Sequence, residues 1–215
     1  MIVFPNAKIN IGLRVHRRRD DGFHDIETCF YPLLTVRDAL EIIPTTEFQF
    51  TQTGLPLDAI GSNLCVRAYD IMKKDFPDLP AVSMHLHKSI PSGAGLGGGS
   101  ADASFTLQLL CKKFKLQVDE KQVADWALQL GSDCPFFLLN RPAIGKGRGE
   151  LLEPVEMPLK GFKILLINPG IHIPTGWAFS ALSTSVPETD LAVLLQQPVE
   201  QWRNTVINDF EKPVF

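Results

Sequence analysis

An α+β fold is predicted by three features of this sequence. Period-two alternation marks residues 7–15 and 82–88, apolar stripes at helical spacing mark 64–72, 103–114 and 123–130, and a glycine- and proline-rich junction at 145–158 precedes a second, smaller part. The 215 residues are 45% hydrophobic and 21% charged, which is enough apolar surface to offset chain entropy in a core and excludes a disordered tail. A net charge of −3 is too weak to steer the chain to nucleic acid or anionic lipid, so an anionic ligand must be held by local groups. Cys29, Cys65, Cys111 and Cys134 lie far apart without a C-x-x-C pair and read as reduced thiols. The N-terminus has no secretory pattern, and no apolar run approaches the roughly 18 residues of a membrane span, so the expected location is the cytoplasm.

Taken in order, Ala7, Ile9, Ile11, Leu13 and Val15 alternate with Lys8, Asn10, Gly12 and Arg14, as a half-buried strand with one polar face does. Asp21-Gly22 is a turn signal, and a loop carrying Phe23 and His24 follows. Residues 38–44 and 47–51 read as short strands. Ser62 and Asn63 are capping residues before the stripe Leu64, Cys65, Ala68, Ile71 and Met72, a helix that ends near Phe76-Pro77. Val82, Met84 and Leu86 face one side of the next strand, with His85 and His87 on the other as solvated residues. Ala103, Leu107, Leu110 and Phe114 make one helix, and Asp119 with Gln122 resembles a capping box opening another, which stops at Gly131. Beyond the junction, residues 162–167 read as a short buried strand, and two helical patterns complete the chain.

Between the strand at 82–88 and the helix at 103–114 lie five glycines in seven residues: Gly93, Gly95, Gly97, Gly98 and Gly99. Glycines there let main-chain N–H groups and a helix start approach a phosphate closely. A flexible linker is the bland alternative, but such linkers do not normally abut a helix start. Gly93-x-Gly95-x-x-Gly98 also fits the dinucleotide fingerprint, with Asp119 near the ribose position; against it, the preceding strand alternates and Asp119 is better explained as a cap. Walker A fails, because Ser100-Ala101 follows the glycines, and protein-kinase signatures are missing.

The run from Pro91 through the glycines to Ser100, Asp102 and Ala103 resembles the phosphate-binding motif of the GHMP small-molecule kinases. Four further segments, at 7–13, 21–24, 131–137 and 208–211, resemble the branch of that family that phosphorylates an alcohol bearing a cytidine diphosphate group in the non-mevalonate isoprenoid precursor pathway. The resemblance implies a two-domain architecture: an N-terminal domain of the ribosomal protein S5 domain 2-like type over 1–153, and a ferredoxin-like C-terminal domain, incomplete here, over 154–215. It implies ATP and Mg²⁺ as cofactors, a cytidine diphosphate small molecule as partner, neither nucleic acid nor membrane, and phosphorylation of a 2-hydroxyl. Other GHMP kinases, acting on mevalonate-like or homoserine-like alcohols, and a non-catalytic nucleotide binder are the alternatives.

The resemblance places a catalytic aspartate at Asp133, which from spacing alone reads equally as ordinary turn chemistry after Gly131. Lys8 is its expected partner, sharing a strand face with Asn10 and stabilising developing phosphoryl charge. Pro91, Gly93, Ala94, Gly95, Leu96, Gly97, Gly98, Gly99, Ser100 and Ala101 are the expected triphosphate cradle. No protein cage for a metal is visible in the spacing, and Mg²⁺ is expected to bridge phosphate oxygens. Asn10, Phe23, His24, Thr175 and Phe179 are assigned by resemblance to the cytidine end, where aromatic faces stack on a base and a histidine selects its edge. Lys146 and Arg148 are candidate phosphate contacts or plain turn charges. Two departures stand out. Ser100-Ala101-Asp102-Ala103-Ser104 replaces the family's Ser-Ser-Asp-Ala-Ala, and a later Ser-Gly-Ser-Gly-type motif is missing after Glu211, so the expectation is a truncated second domain with an exposed sheet edge and apolar surface.

Overall fold

The computed structural model describes residues 1–56, 63–171, 175–180, 182 and 189–214. It has the mixed α+β content expected. Among the described residues the strands are β1 (Ile2–Val3), β2 (Asn6–Arg18), β3 (His24–Arg37), β4 (Ala39–Pro44), β5 (Gln49–Gly54), β6 (Val82–Lys88), β7 (Ala143–Lys146) and β8 (Leu151–Pro154). The helices are α1 (Leu64–Asp75), α2 (Gly98–Phe114), α3 (Glu120–Leu130), α4 (Cys134–Leu139), α5 (Thr175–Ser180), α6 (Leu191–Leu194) and α7 (Glu211–Val214), with a 3₁₀ turn at Val199–Asn204. Two compact units emerge, one of Met1–Lys8 with Pro32–Asn140 and one of Ile9–Tyr31 with Arg141–Phe215. These units interleave along the chain, whereas the expected domains 1–153 and 154–215 follow one another.

In the first unit a sheet of order β1-β4-β6-β5 supports the helices. β4 runs antiparallel to β6 with Leu40 opposite Leu86, and β5 runs parallel to β6 with Phe50 opposite Met84. Alternation puts Leu40, Ile42, Met84 and Leu86 on the face that packs with Ala68 and Met72 of α1, Leu107 and Leu110 of α2, and Trp126 of α3. Burying each Leu or Met of this kind contributes about 1.5–3 kcal/mol. Asn63 caps α1 by accepting from the Cys65 amide at 2.8 Å, and Asp119 caps α3 by accepting from the Gln122 amide at 2.7 Å. Ser62 lies outside the described residues. His85 and His87 hydrogen-bond with the Thr51 and Thr53 hydroxyls on the outer sheet face.

The second unit is organised by the sheet β2-β3-β7-β8. β7 and β8 form a hairpin, closed where the Gly149 amide donates to the Lys146 carbonyl at 3.0 Å. Cys29 and Ile144 pack with Leu191, Leu195 and Trp202. The 208–209 stretch lies beside β2, with the Asp209 amide donating to the Leu13 carbonyl at 2.8 Å and the Val15 amide to Asp209 Oδ2 at 2.8 Å.

Four expectations are corrected. The segment after Phe23 is no loop: His24 opens the 14-residue β3. Pro32 lies within this strand, but the β7 ladder engages only Thr28 to Phe30, so proline's missing N–H interrupts no bond to β7. Residues 162–167 form no strand, and Leu165 and Ile167 are 82% and 77% exposed, because no strand of the described residues runs alongside to pair with them. Lys8, expected on the polar face of a half-buried strand, is only 5% exposed. The two C-terminal helical patterns resolve into short turns of helix at Thr175–Ser180, Leu191–Leu194, Val199–Asn204 and Glu211–Val214.

Candidate active site

The first unit gathers the glycine loop, Lys8 and Asp133. The loop leaves β6 through Pro91 and enters α2 at Gly98, and its glycines 93, 95 and 97 all have positive φ, at 69°, 72° and 69°. Gly97 is the N-cap of α2 in the left-handed region and brings no side-chain acceptor to the helix start, where N–H groups and dipole favour an anion. A Cβ on Gly97 would stand 2.9 Å from Phe137 Cζ, 3.0 Å from Lys8 Cγ and 3.1 Å from Lys8 Cε. The chain therefore passes here only as glycine, pressed against the lysine side chain. The Lys8 amide also donates to the Leu96 carbonyl at 2.9 Å, fixing loop to strand.

Asp133 is the N-cap of α4, a helix too short for its apolar spacing to announce. Its side chain makes no capping bond; Oδ2 lies 3.3 Å from Lys8 Nζ, with the carboxylate 34% and the lysine side chain 6% exposed. The turn carrying it is held on α2: Ser104 Oγ donates to the Cys134 carbonyl at 2.7 Å, and the Cys134 amide donates to the Gly131 carbonyl at 3.1 Å. Ser100, in the first turn of α2, places its hydroxyl 4.0 Å from where a Cβ on Gly131 would stand. Burial pushes the Cys134 thiol up to about 11, against hydrogen bonds from Ser100 and Ser104, so it stays neutral. A half-exposed carboxylate, a buried ammonium and the glycine loop thus share one corner. In the loop, Gly93, Gly95 and Gly99 are exposed, Pro91, Ala94, Gly97 and Ser100 are half-buried, and Leu96, Gly98 and Ala101 are buried.

The second unit holds the residues expected at a cytidine end. His24 stacks on Phe179 with centroids 4.7 Å apart and planes 19° apart, and Phe179 meets Phe210 edge-on at 4.9 Å. Phe23 is 49% exposed and carries the Arg148 guanidinium 4.6 Å above its ring. Asn10 Nδ2 donates to Thr28 Oγ1 at 2.9 Å, and that hydroxyl donates to the Gly12 carbonyl at 2.6 Å. Thr175 opens α5, and its side chain lies outside the described residues. Lys146 Nζ lies 4.0 Å from Glu27 Oε1.

Beside the loop stands a cluster that escaped the sequence reading, which named Asp102 only within the glycine motif: Asp38, Lys88 and Asp102 form buried ion pairs. A signal existed. Lys88 continues the parity of Val82, Met84 and Leu86, and a lysine on the core face of a strand requires a buried acid.

Residues 63–141, which carry the glycine loop and Asp133, match the GHMP kinases N terminal domain. The chain is 46% identical over 217 residues to 4-diphosphocytidyl-2-C-methyl-D-erythritol kinase of Azobacteroides pseudotrichonymphae, covering 100% of this chain and 80% of that protein. It is 44% identical over 220 residues to the protein of the same name in Bacteroides fragilis, with the same 100% and 80% coverage. A crystal structure of 4-(cytidine 5'-diphospho)-2C-methyl-D-erythritol kinase superposes with a TM-score of 0.75 at 32% identity, over 100% of this chain and 77% of that one. Among the described residues, no helix is long and apolar enough to cross a membrane. With glycine loop, lysine and aspartate in one corner and such identity along its whole length, the chain belongs to the 4-diphosphocytidyl-2-C-methyl-D-erythritol kinase family of GHMP kinases.

Proposed function

We propose that this chain is a small-molecule kinase that transfers the γ-phosphoryl group of ATP to the 2-hydroxyl of 4-diphosphocytidyl-2-C-methyl-D-erythritol, a cytoplasmic step of isoprenoid precursor synthesis. The observation that carries the reading is the 3.3 Å contact between Lys8 Nζ and Asp133 Oδ2 beside a glycine loop pressed onto the same lysine. Main-chain amides from Gly93 to Gly99 and the Ser100 hydroxyl bind the triphosphate, and the start of α2 adds a favourable dipole. Asp133 accepts the proton of the 2-hydroxyl as its oxygen attacks the γ-phosphorus. The new P–O bond forms as the bond to the bridging β–γ oxygen breaks, and the electron pair leaves with ADP. Lys8, held in a largely dry position by Gly97 and Phe137, stabilises the charge on the transferring phosphoryl group.

Among the described residues, no group of three or more His, Cys, Asp or Glu side chains can hold a metal ion. Mg²⁺ takes one or two protein ligands and several waters beside substrate phosphates, so its binding does not call for such a group. The Ser100 hydroxyl would supply a protein oxygen ligand of suitable chemistry, with Asp133 kept as the base. Bound there, the ion would neutralise negative charge on the triphosphate during transfer. In the second unit, Phe23, His24 and Phe179 bind the cytosine ring, and Asn10 and Thr175 bind the sugar and diphosphate side of the substrate. In that reading His24 leaves Phe179 so that the base takes its place in the stack.

Turnover of ATP with the cytidine-diphosphate alcohol, followed by coupled ADP detection and by ³¹P NMR of the product, tests the assignment. Asp133→Asn is expected to lower kcat by about 10²–10⁴-fold, the span of general-base catalysis, while the ATP dissociation constant stays within threefold. A kcat within tenfold of the parent would remove Asp133 from the chemistry.

A further inference from the structure

Beside the glycine loop the first unit keeps three charged side chains away from water: Asp38, Lys88 and Asp102 are 1%, 2% and 2% exposed. Lys88 Nζ donates to Asp38 Oδ2 at 2.5 Å and to Asp102 Oδ2 at 2.7 Å. Asp38 Oδ1 in turn accepts from the amides of Ser89 and Ile90, at 2.6 and 2.8 Å. Those two residues lead directly into Pro91, the first residue of the loop. Asp102 stands on the other side, in α2 just after the loop's last glycines. A Cβ on Gly98 would lie 2.9 Å from Ile90 Cγ2 and 3.2 Å from Lys88 Nζ, so the start of α2 rests on the ammonium itself. One lysine is therefore linked to the strand end where the loop departs and to the helix where it arrives.

Stability alone does not account for this arrangement. Removing three charges from water carries a desolvation penalty that apolar residues of the same volume would avoid, and Asp102 Oδ1 is buried without a hydrogen-bond partner. Burial, reinforced by the Asp38 charge, raises the Asp102 carboxyl to about 7 against the pull of Lys88. The Cys65 thiol, which faces the cluster from α1, is pushed up by its own burial and stays neutral. What the ion cluster supplies and an apolar one would not is directional fixing of two backbone segments whose separation sets the shape of the loop.

We propose that Lys88 is a positioning residue for phosphoryl transfer: through Asp38 it fixes the strand end of the glycine loop and through Asp102 the helix end, setting the spacing of the amides that meet the nucleotide's phosphates. This rests on the reading of residues 91–101 as the triphosphate cradle. The loop glycines have no side chains to hold their own conformation, so apart from the Lys8 amide's bond to the Leu96 carbonyl the loop is held at its ends. Neither Asp38 nor Lys88 touches the nucleotide in this account; both act through main-chain geometry.

Calorimetric titration of the full chain with ATP, and separately with CDP, tests the proposal. Lys88→Met is expected to weaken ATP binding tenfold or more and to leave CDP binding within twofold. Asp38→Ala releases both loop amides and is expected to do the same. Asp38→Asn keeps an oxygen for the Ser89 and Ile90 amides but presents an NH₂ instead of an acceptor to Lys88, and is expected to bind ATP more tightly than Asp38→Ala yet at least threefold more weakly than the parent, a graded loss that a change in stability alone would not produce. Where Lys88→Met fails to fold, the two Asp38 variants decide. Variants that melt earlier yet bind ATP as the parent does would overturn the positioning role. A parent chain that binds CDP but not ATP would overturn the triphosphate reading of the loop and this proposal with it.

Discussion

Gly97→Ala is the sharpest structural probe of the site, because its effect divides into two parts that can be measured apart. The first part is backbone: Gly97 has φ of +69°, and an L-residue held in the left-handed region costs about 1–2 kcal/mol. The second is contact: the added Cβ would lie 2.9 Å from Phe137 Cζ and 3.0 Å from Lys8 Cγ, and crowding a packed site of this kind costs about 1–3 kcal/mol. The sum is a loss of about 2–5 kcal/mol, or roughly 4–20 °C in melting temperature at about 2–4 °C per kcal/mol for a chain of this size. Gly95 supplies the control, with φ of +72° and nothing within 4 Å of its Cβ position, so Gly95→Ala carries the backbone part alone. Urea unfolding of both variants and the parent isolates the contact as their difference. Because the crowding falls on Lys8, Gly97→Ala is also expected to reduce turnover more than Gly95→Ala does. Equal stability losses in the two variants would show that Gly97 is not pressed against Lys8 and Phe137, and would refute the packing that places the ammonium.

Two other outcomes follow from the same geometry. Phe179→Ala removes a ring that stacks on His24 and meets Phe210 edge-on, and at about 1–3 kcal/mol per aromatic–base stack it is expected to weaken CDP binding about 5–150-fold with ATP binding within twofold; unchanged CDP affinity would exclude Phe179 from the base site. Asp102, raised from the usual 3.8 to about 7 chiefly by burial, keeps its proton in the folded chain at pH values where the unfolded chain has released it. Its contribution therefore makes stability fall as pH rises from about 4 to about 7, and Asp102→Asn, which has no proton to lose, is expected to flatten that part of the pH–stability curve measured by urea unfolding. Parallel curves for parent and variant would place the Asp102 carboxyl in its ordinary range.

Local signals carried the sequence reading wherever a segment's own chemistry decides its structure. Asn63 and Asp119 cap helices because a side-chain oxygen two or three residues before an amide is a local fact. The alternation at 82–88 becomes β6 because one face of it meets the helices. β3 was illegible for the opposite reason. Its Pro32 is a local argument against a strand, overridden because the ladder to β7 ends at Phe30, a fact set by residues more than a hundred positions away. Residues 162–167 failed in the other direction: an apolar run gives β-propensity, but a strand exists only where a neighbour accepts its hydrogen bonds.

The site divides along the same line. The glycine loop was legible because five glycines before a helix have few other uses, and its three positive φ values are the use that glycine alone allows without strain. Pairing Lys8 with Asp133 needed the family resemblance, since 125 positions separate two residues that each look ordinary in isolation. The environment of Lys8 was misread because alternation reports only which side of a strand a residue is on, and both sides of this strand are covered near its start: Ala7 and Lys8 are 0% and 5% exposed. Lys88 shows what a stricter use of the same rule yields. Parity placed it with Val82, Met84 and Leu86, and a cation on that face is tolerable only if acids come to it, so the strand pattern already demanded partners such as Asp38 and Asp102. A charged residue that breaks an apolar pattern without breaking its period is thus a pointer to a buried network, and here that network stands at both ends of the glycine loop.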